Sequence, residues 1–107
     1  MNSYRFRITV EPMTGAKGEP VSGRPLIFEA ANHDDILAIV ERMRQRLPFA
    51  ADTVASLGVG LKLFSEATLV HRTNPLFEAI RPALHDFTRQ LKEMPVRESR
   101  DGAGRLL

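Results

Sequence analysis

Residues 4–10 read Tyr-Arg-Phe-Arg-Ile-Thr-Val, and this stretch decides the fold class. Successive side chains of a strand point to opposite faces. Tyr4, Phe6, Ile8 and Val10 therefore share one face, and Arg5, Arg7, Thr9 and Glu11 share the other. That is the pattern of a half-buried strand. The segment from Pro12 to Arg24 holds Gly15, Gly18, Pro20 and Gly23, which mark a loop. Pro25 then opens a second apolar run, Leu26-Ile27-Phe28-Glu29-Ala30. Leu26 and Phe28 are expected on the inner face with Phe6 and Ile8. The simplest pairing is an antiparallel hairpin with a long, mobile connection.

Beyond the hairpin the period changes from two to about 3.6. Asn32 is expected as the N-cap of a first helix, with Asp34 and Asp35 in its first turn, where negative charge suits the helix dipole. This helix is expected to run to about Leu47, with Ile36, Ile39, Val40, Met43 and Leu47 on one face and Pro48 ending it. Asp52 is expected to cap a second helix, from Thr53 to about Arg72, with Val54, Leu57, Leu61, Phe64 and Thr68 as its main stripe. Apart from a thin Lys62–Glu66 strip this helix is apolar nearly all round, which suits a central element covered on several sides. Asn74-Pro75 marks the start of a third helix, expected to reach Met94, with Phe77, Ile80, Leu84, Phe87 and Leu91 as its buried face. Pro82 is expected on its polar side, bending the helix without stopping it.

The reading is therefore α+β: an N-terminal antiparallel hairpin packed on three helices, in the order β-β-α-α-α. Residues 1–94 form one domain and 95–107 a disordered tail, since Gly102, Gly104 and mixed charge show no periodicity. Both hairpin edges lack partners. Pairing edge to edge across a two-fold axis would give a four-stranded sheet and a homodimer.

Composition narrows the function. At 107 residues, 43% hydrophobic and 26% charged, the chain suits one globular domain. Without cysteine it has no disulfide framework, thiol nucleophile or thiolate metal site, and it fits a reducing compartment. The first ten residues hold no apolar core of a signal peptide, and no run of about 18 apolar residues suggests a membrane span. The expected location is the cytoplasm. The pI of about 9.5 reflects 12 Arg and 3 Lys. Residues 1–94 nevertheless carry 12 basic and 11 acidic side chains, so long-range steering is weak.

No catalytic, cofactor-binding or metal-ligating residue is assigned. His33, His71 and His85 show no metal-ligand spacing, and Gly58-Val59-Gly60 is too short for a phosphate loop. Ser56, Gly60 and Ala67 fall on one flank of the second helix, where small side chains would let another element approach. The arginines are more informative. Arg5 and Arg7 lie on the outward face of the first strand, and Arg42, Arg44 and Arg46 crowd the end of the first helix. Arg5, Arg7, Arg42 and Arg46 form the candidate interaction surface. Tyr4 and Phe6 face away from Arg5 and Arg7, so base stacking, and with it nucleic acid, is disfavoured.

The ordered motifs also resemble a known family. Tyr-Arg-Phe-Arg-Ile-Thr-Val at 4–10, Phe28-Glu29, Asn-His-Asp-Asp at 32–35, Gly-Leu-Lys-Leu-Phe at 60–64, Asn-Pro-Leu-Phe at 74–77 and Arg-Pro-Ala-Leu at 81–84 carry the likeness. Together they resemble a family of short bacterial proteins catalogued only as a domain of unknown function, over residues 3–94. The resemblance implies a bacterial, cytoplasmic protein and brings no assigned activity. The leading functional reading is a non-catalytic interaction or regulatory module that forms a homodimer or meets a protein partner. The alternatives are nucleic-acid or anionic-ligand binding through the arginines, and an enzyme using His71 with a carboxylate such as Glu66 or Asp86.

Overall fold

The structure is a computed structural model that describes residues 3–96. The tail expected at 95–107 lies, from residue 97 on, outside the described residues. The elements are β1 (Tyr4–Val10), β2 (Leu26–Asn32), α1 (Ile36–Arg44), α2 (Ala51–Val70), a 3₁₀ turn (Pro75–Phe77) and α3 (Arg81–Glu93). This is the α+β order β-β-α-α-α. The chain forms two compact units, one up to His33 and one from Asp34 onward.

In the first unit β1 and β2 pair antiparallel, with Phe6 opposite Ala30, Ile8 opposite Phe28 and Val10 opposite Leu26. The expected inner-face set is therefore a cross-strand set. The Tyr4 and Phe6 rings, two residues apart on that face, stack with centroids 6.4 Å apart. The opposite face carries an ion pair between Arg5 and Glu29. The connection is more ordered than the sequence suggests. Thr14 bridges Pro20, Gly15 N–H donates to Glu19 O at 2.8 Å, and Gly18 N–H donates to Gly15 O at 3.0 Å. Gly18 turns the chain at φ +81°, where a side chain would be strained.

The helical unit begins three residues later than expected. Asn32 is the buried last residue of β2, and Asp35 is the N-cap, its carboxylate accepting from Ala38 N–H at 3.5 Å. A helix cannot start inside a strand, and once β2 has ended Asp35 is the side chain that caps it. Asp35→Ala is expected to cost about 0.5–1 kcal/mol, read as a lower urea midpoint at unchanged slope.

Ile36, Val40, Met43 and Leu47 are buried along α1, as its periodicity requires. Met43 and Leu47 form a core cluster with Val54 of α2, joined by half-buried Ile39, Leu57, Leu91 and Met94. Gly58 lies in close contact with α1. A Cβ there would lie 2.9 Å from Val40 Cγ2 and 3.0 Å from Met43 Sδ. A Cβ at Gly60 would meet no neighbouring element within 4 Å, and Ser56, Gly60 and Ala67 are all exposed, so the close approach is on another flank from the one expected.

Asp52 sits inside the first turn of α2, whose N-cap is Ala50 without a side-chain bond. The helix is not covered on several sides, because Phe64 stays 45% exposed. It is also long and apolar enough to cross a membrane by length and composition, with a mean hydropathy of 1.3. Searching for an unbroken apolar run misses this, since Gly, Ser and Thr interrupt the run at little hydropathic cost. Only 22% of this stretch is buried, and α1 packs against it.

The third helix is not continuous. Asn74 accepts from Leu76 N–H at 2.9 Å and caps only the 3₁₀ turn at Pro75–Phe77. α3 restarts at Arg81 with Pro82 in its first turn. Proline has no N–H to donate, and its ring clashes with the carbonyl four residues back, here that of Glu78. Pro82 therefore separates two helical pieces where a bend was expected. None of the expected face of α3 is fully buried: Phe87 is 42% exposed, and Phe77, Leu84 and Leu91 are half-buried.

Candidate functional site

Three helices converge on a pocket of about 260 Å³. Along α1 and the turn after it, Ile39, Arg42, Met43 and Arg46 recur at helical spacing and face it; α2 adds Leu61 and Lys62, and α3 adds Thr88, Leu91 and Lys92. Asp34 completes the lining. The apolar members Ile39, Met43, Leu61 and Leu91 belong to or border the core, so the pocket rests on packed side chains. Four cations and one carboxylate give the lining a net charge of +3. Such a concentration of one sign in a concave, partly apolar site raises the local potential for anions.

The cations are held in different ways. Lys62 Nζ lies 2.6 Å from Asp34 Oδ2, and its side chain is only 16% exposed. It is thus part of an anchored, half-buried ion pair. Arg46 Nη1 donates to Lys92 O at 3.4 Å, which satisfies a carbonyl at the C-terminal end of α3. Its Nε is buried without a hydrogen-bond partner. A buried charged donor left unpaired costs about 1–3 kcal/mol or more. Among the described residues, Arg42, Arg46 and Lys92 have no carboxylate within ion-pair distance.

Of the four arginines expected to form an interaction surface, Arg42 and Arg46 meet at this pocket, one helical turn apart. Arg5 and Arg7 share the outward face of β1, where Glu29 lies opposite Arg7 and pairs with Arg5. Among the described residues, Arg5 alone of the four is therefore paired with a carboxylate. The sequence reading missed Lys62, Lys92, Thr88 and the pairing role of Asp34. A lone lysine within an otherwise apolar helix is the one local signal that could have drawn attention to Lys62.

The histidine alternative gains no support. His71 is the exposed C-cap of α2, and no carboxylate lies within ion-pair distance of it among the described residues. Asp86 sits instead beside His85 at 3.9 Å and Arg89 at 3.5 Å. Among the described residues no cluster of three or more His, Asp or Glu could hold a metal ion.

A second feature is apolar. On the inner face of the hairpin Val10 is 57% and Leu26 61% exposed. In the helical unit, Phe64, Leu69, Ile80 and Phe87 remain exposed, and an open groove of about 680 Å³ lies between the C-terminal half of α2 and α3. Leu69, Leu84 and Pro82 line it along with Arg72 and Arg81.

Comparison with known proteins agrees with this architecture. A family model described as a domain of unknown function with a solved structure (DUF3861) matches residues 4–93. The crystal structure of a protein of unknown function from Pectobacterium atrosepticum is similar, with a TM-score of 0.74 and 28% sequence identity, covering 87% of this chain and 100% of that one. No curated protein matches.

Proposed function

The chain belongs to this family of unknown function, and from that premise we propose that it is a non-catalytic interaction module that works as a homodimer. The observation that carries the reading is the exposure of side chains whose periodicity marks them for burial. Val10, Leu26 and Phe28 lie on one apolar face of a two-stranded sheet, and Val10 and Leu26 are more than half exposed while Phe28 is 39% exposed. Isolated exposed apolar residues are ordinary, but a contiguous exposed set is typical of an interface.

The sheet supplies the geometry for association. Each strand of a two-stranded sheet has one edge whose N–H and C=O groups lack a strand partner, and neither β1 nor β2 contains a proline or lysine to blunt it. A second copy adding its edge antiparallel makes a four-stranded sheet, in which each copy extends the apolar face of the other. Two strands alone are marginal, whereas four with an apolar face are a stable unit. An isologous contact of this kind closes at two copies.

The test is solution mass across a concentration range. The wild-type chain should show twice its 12.0 kDa mass. Leu26→Lys places a charge on the shared face and should weaken the dimer at least about tenfold. Because Leu26 is exposed in the single chain, stability of the variant monomer should stay within about 0.5 kcal/mol of wild type. A wild-type monomer at all concentrations, or a Leu26→Lys dimer as tight as wild type, would refute the hairpin-mediated dimer.

A further inference from the structure

We propose that the pocket between α1, α2 and α3 binds a small organic phosphate monoester. The dianionic head would be held by Arg42, Arg46 and Lys92, and a short apolar body would lie on Ile39, Met43, Leu61 and Leu91.

The argument begins with charge. Lys62 is matched by Asp34 at 2.6 Å. The other three cations that line the pocket have no carboxylate partner among the described residues. A monocarboxylate would offset one of these charges, whereas a phosphate monoester is close to doubly charged at neutral pH and presents three strong acceptor oxygens. Guanidinium groups grip such oxygens with two parallel N–H donors, and the lysine acts as a point charge. Arg42 and Arg46 are one turn apart on the same face, so both forks can address one head group. The Thr88 hydroxyl adds a neutral donor.

Burial supplies an independent observation. Arg46 Nε is buried and unpartnered, on a side chain whose Nη1 is already committed to Lys92 O. The guanidinium is thus held by the protein at the pocket wall, and a head group would take its N–H donors other than the enclosed Nε. The volume of about 260 Å³ lies just below the range of about 300–1,000 Å³ usual for ligand pockets, which limits the body to a few atoms or one ring. No aromatic side chain lines the pocket, so the stacking platform that single-stranded nucleic acid needs is missing from it.

The probe is phenyl phosphate, titrated into the 107-residue chain and followed by backbone amide chemical shifts, with inorganic phosphate, benzoate and a single-stranded oligonucleotide run in parallel. Saturable shifts are expected in Ile39–Arg46, Leu61–Lys62 and Thr88–Lys92. Phenyl phosphate should bind at least about tenfold more tightly than benzoate, which lacks the second charge, and than inorganic phosphate, which lacks the body. Arg42→Gln and Lys92→Gln change exposed positions at the rim; each should weaken binding by about tenfold, the scale of one charge-assisted hydrogen bond. The proposal is overturned if phenyl phosphate produces no saturable shifts at these amides, if Arg42→Gln and Lys92→Gln each bind as tightly as wild type, or if benzoate binds equally well. Binding of the oligonucleotide without binding of phenyl phosphate would also overturn it and would assign the cations to nucleic acid.

Discussion

Leu47→Ala is expected to destabilise the helical unit by about 2–5 kcal/mol, the usual range for removing a buried leucine side chain. Leu47 is buried just beyond α1, in the cluster with Met43 and Val54. Few residues can collapse into the space it leaves, because Val54 has no exposed surface and Leu91 and Met94 reach the cluster from the end of α3. Domains of this size have only about 5–15 kcal/mol in total, so the loss is a large fraction of what holds the helices together. Urea unfolding followed by helical circular dichroism reads it as a lower midpoint. Leu37→Ala is the control. Leu37 is on the same helix but exposed, and its removal should change stability by no more than about 0.5 kcal/mol. Equal effects at the two positions would mean that Leu47 is not a core residue.

The second large effect is at the contact between α1 and α2. Gly58→Leu is expected to cost about 1–3 kcal/mol from overpacking, or more if the helices separate. The first added carbon already falls 2.9 Å from Val40 Cγ2 and 3.0 Å from Met43 Sδ. Met43 is unbranched and can yield. Val40 is β-branched and held to one rotamer in a helix, so it cannot. The gain of about 1 kcal/mol from replacing glycine in a helix offsets only part of this cost. Gly60 makes the comparison sharp. It is two residues away in the same helix, with nothing within 4 Å of its would-be Cβ. Gly60→Ala should therefore raise stability by about 0.5–1 kcal/mol. Paired thermal melts should move in opposite directions; stabilisation by both substitutions would mean that α1 does not seat on the Gly58 flank.

Much of the fold was legible because short-range patterns encode it. The alternation at 4–11 placed β1, which ends one residue earlier at Val10, and the face shared by Phe6, Ile8, Leu26 and Phe28 follows from the two-residue period once the strands pair. The period of the first helix named Ile36, Ile39, Val40, Met43 and Leu47 as one face; four are buried and Ile39 is half-buried. Family membership was legible in the order of the motifs. The errors cluster at boundaries. Asn32, Asp34 and Asp35 are all plausible caps by type, and which one caps depends on where β2 stops. Asn74-Pro75 is a real start signal, but it opens a 3₁₀ turn because Pro82 interrupts helix propagation.

The candidate pocket was only half legible. Arg42 and Arg46 could be placed together, since four residues make one helical turn. Asp34, Lys62, Thr88 and Lys92 could not, because they come from segments far apart in the chain. The sequence by itself determined which residues share a face, the order of the elements and the strand alternation, all of which follow from dihedral geometry repeated over a few residues. Only the tertiary structure decided which face meets which neighbour. It selected Gly58 over Gly60 for the close contact, paired Lys62 with Asp34, and left Phe64, Ile80 and Phe87 partly in solvent. Periodicity marks a surface for burial, but what covers that surface depends on side-chain packing between segments that the local pattern does not connect.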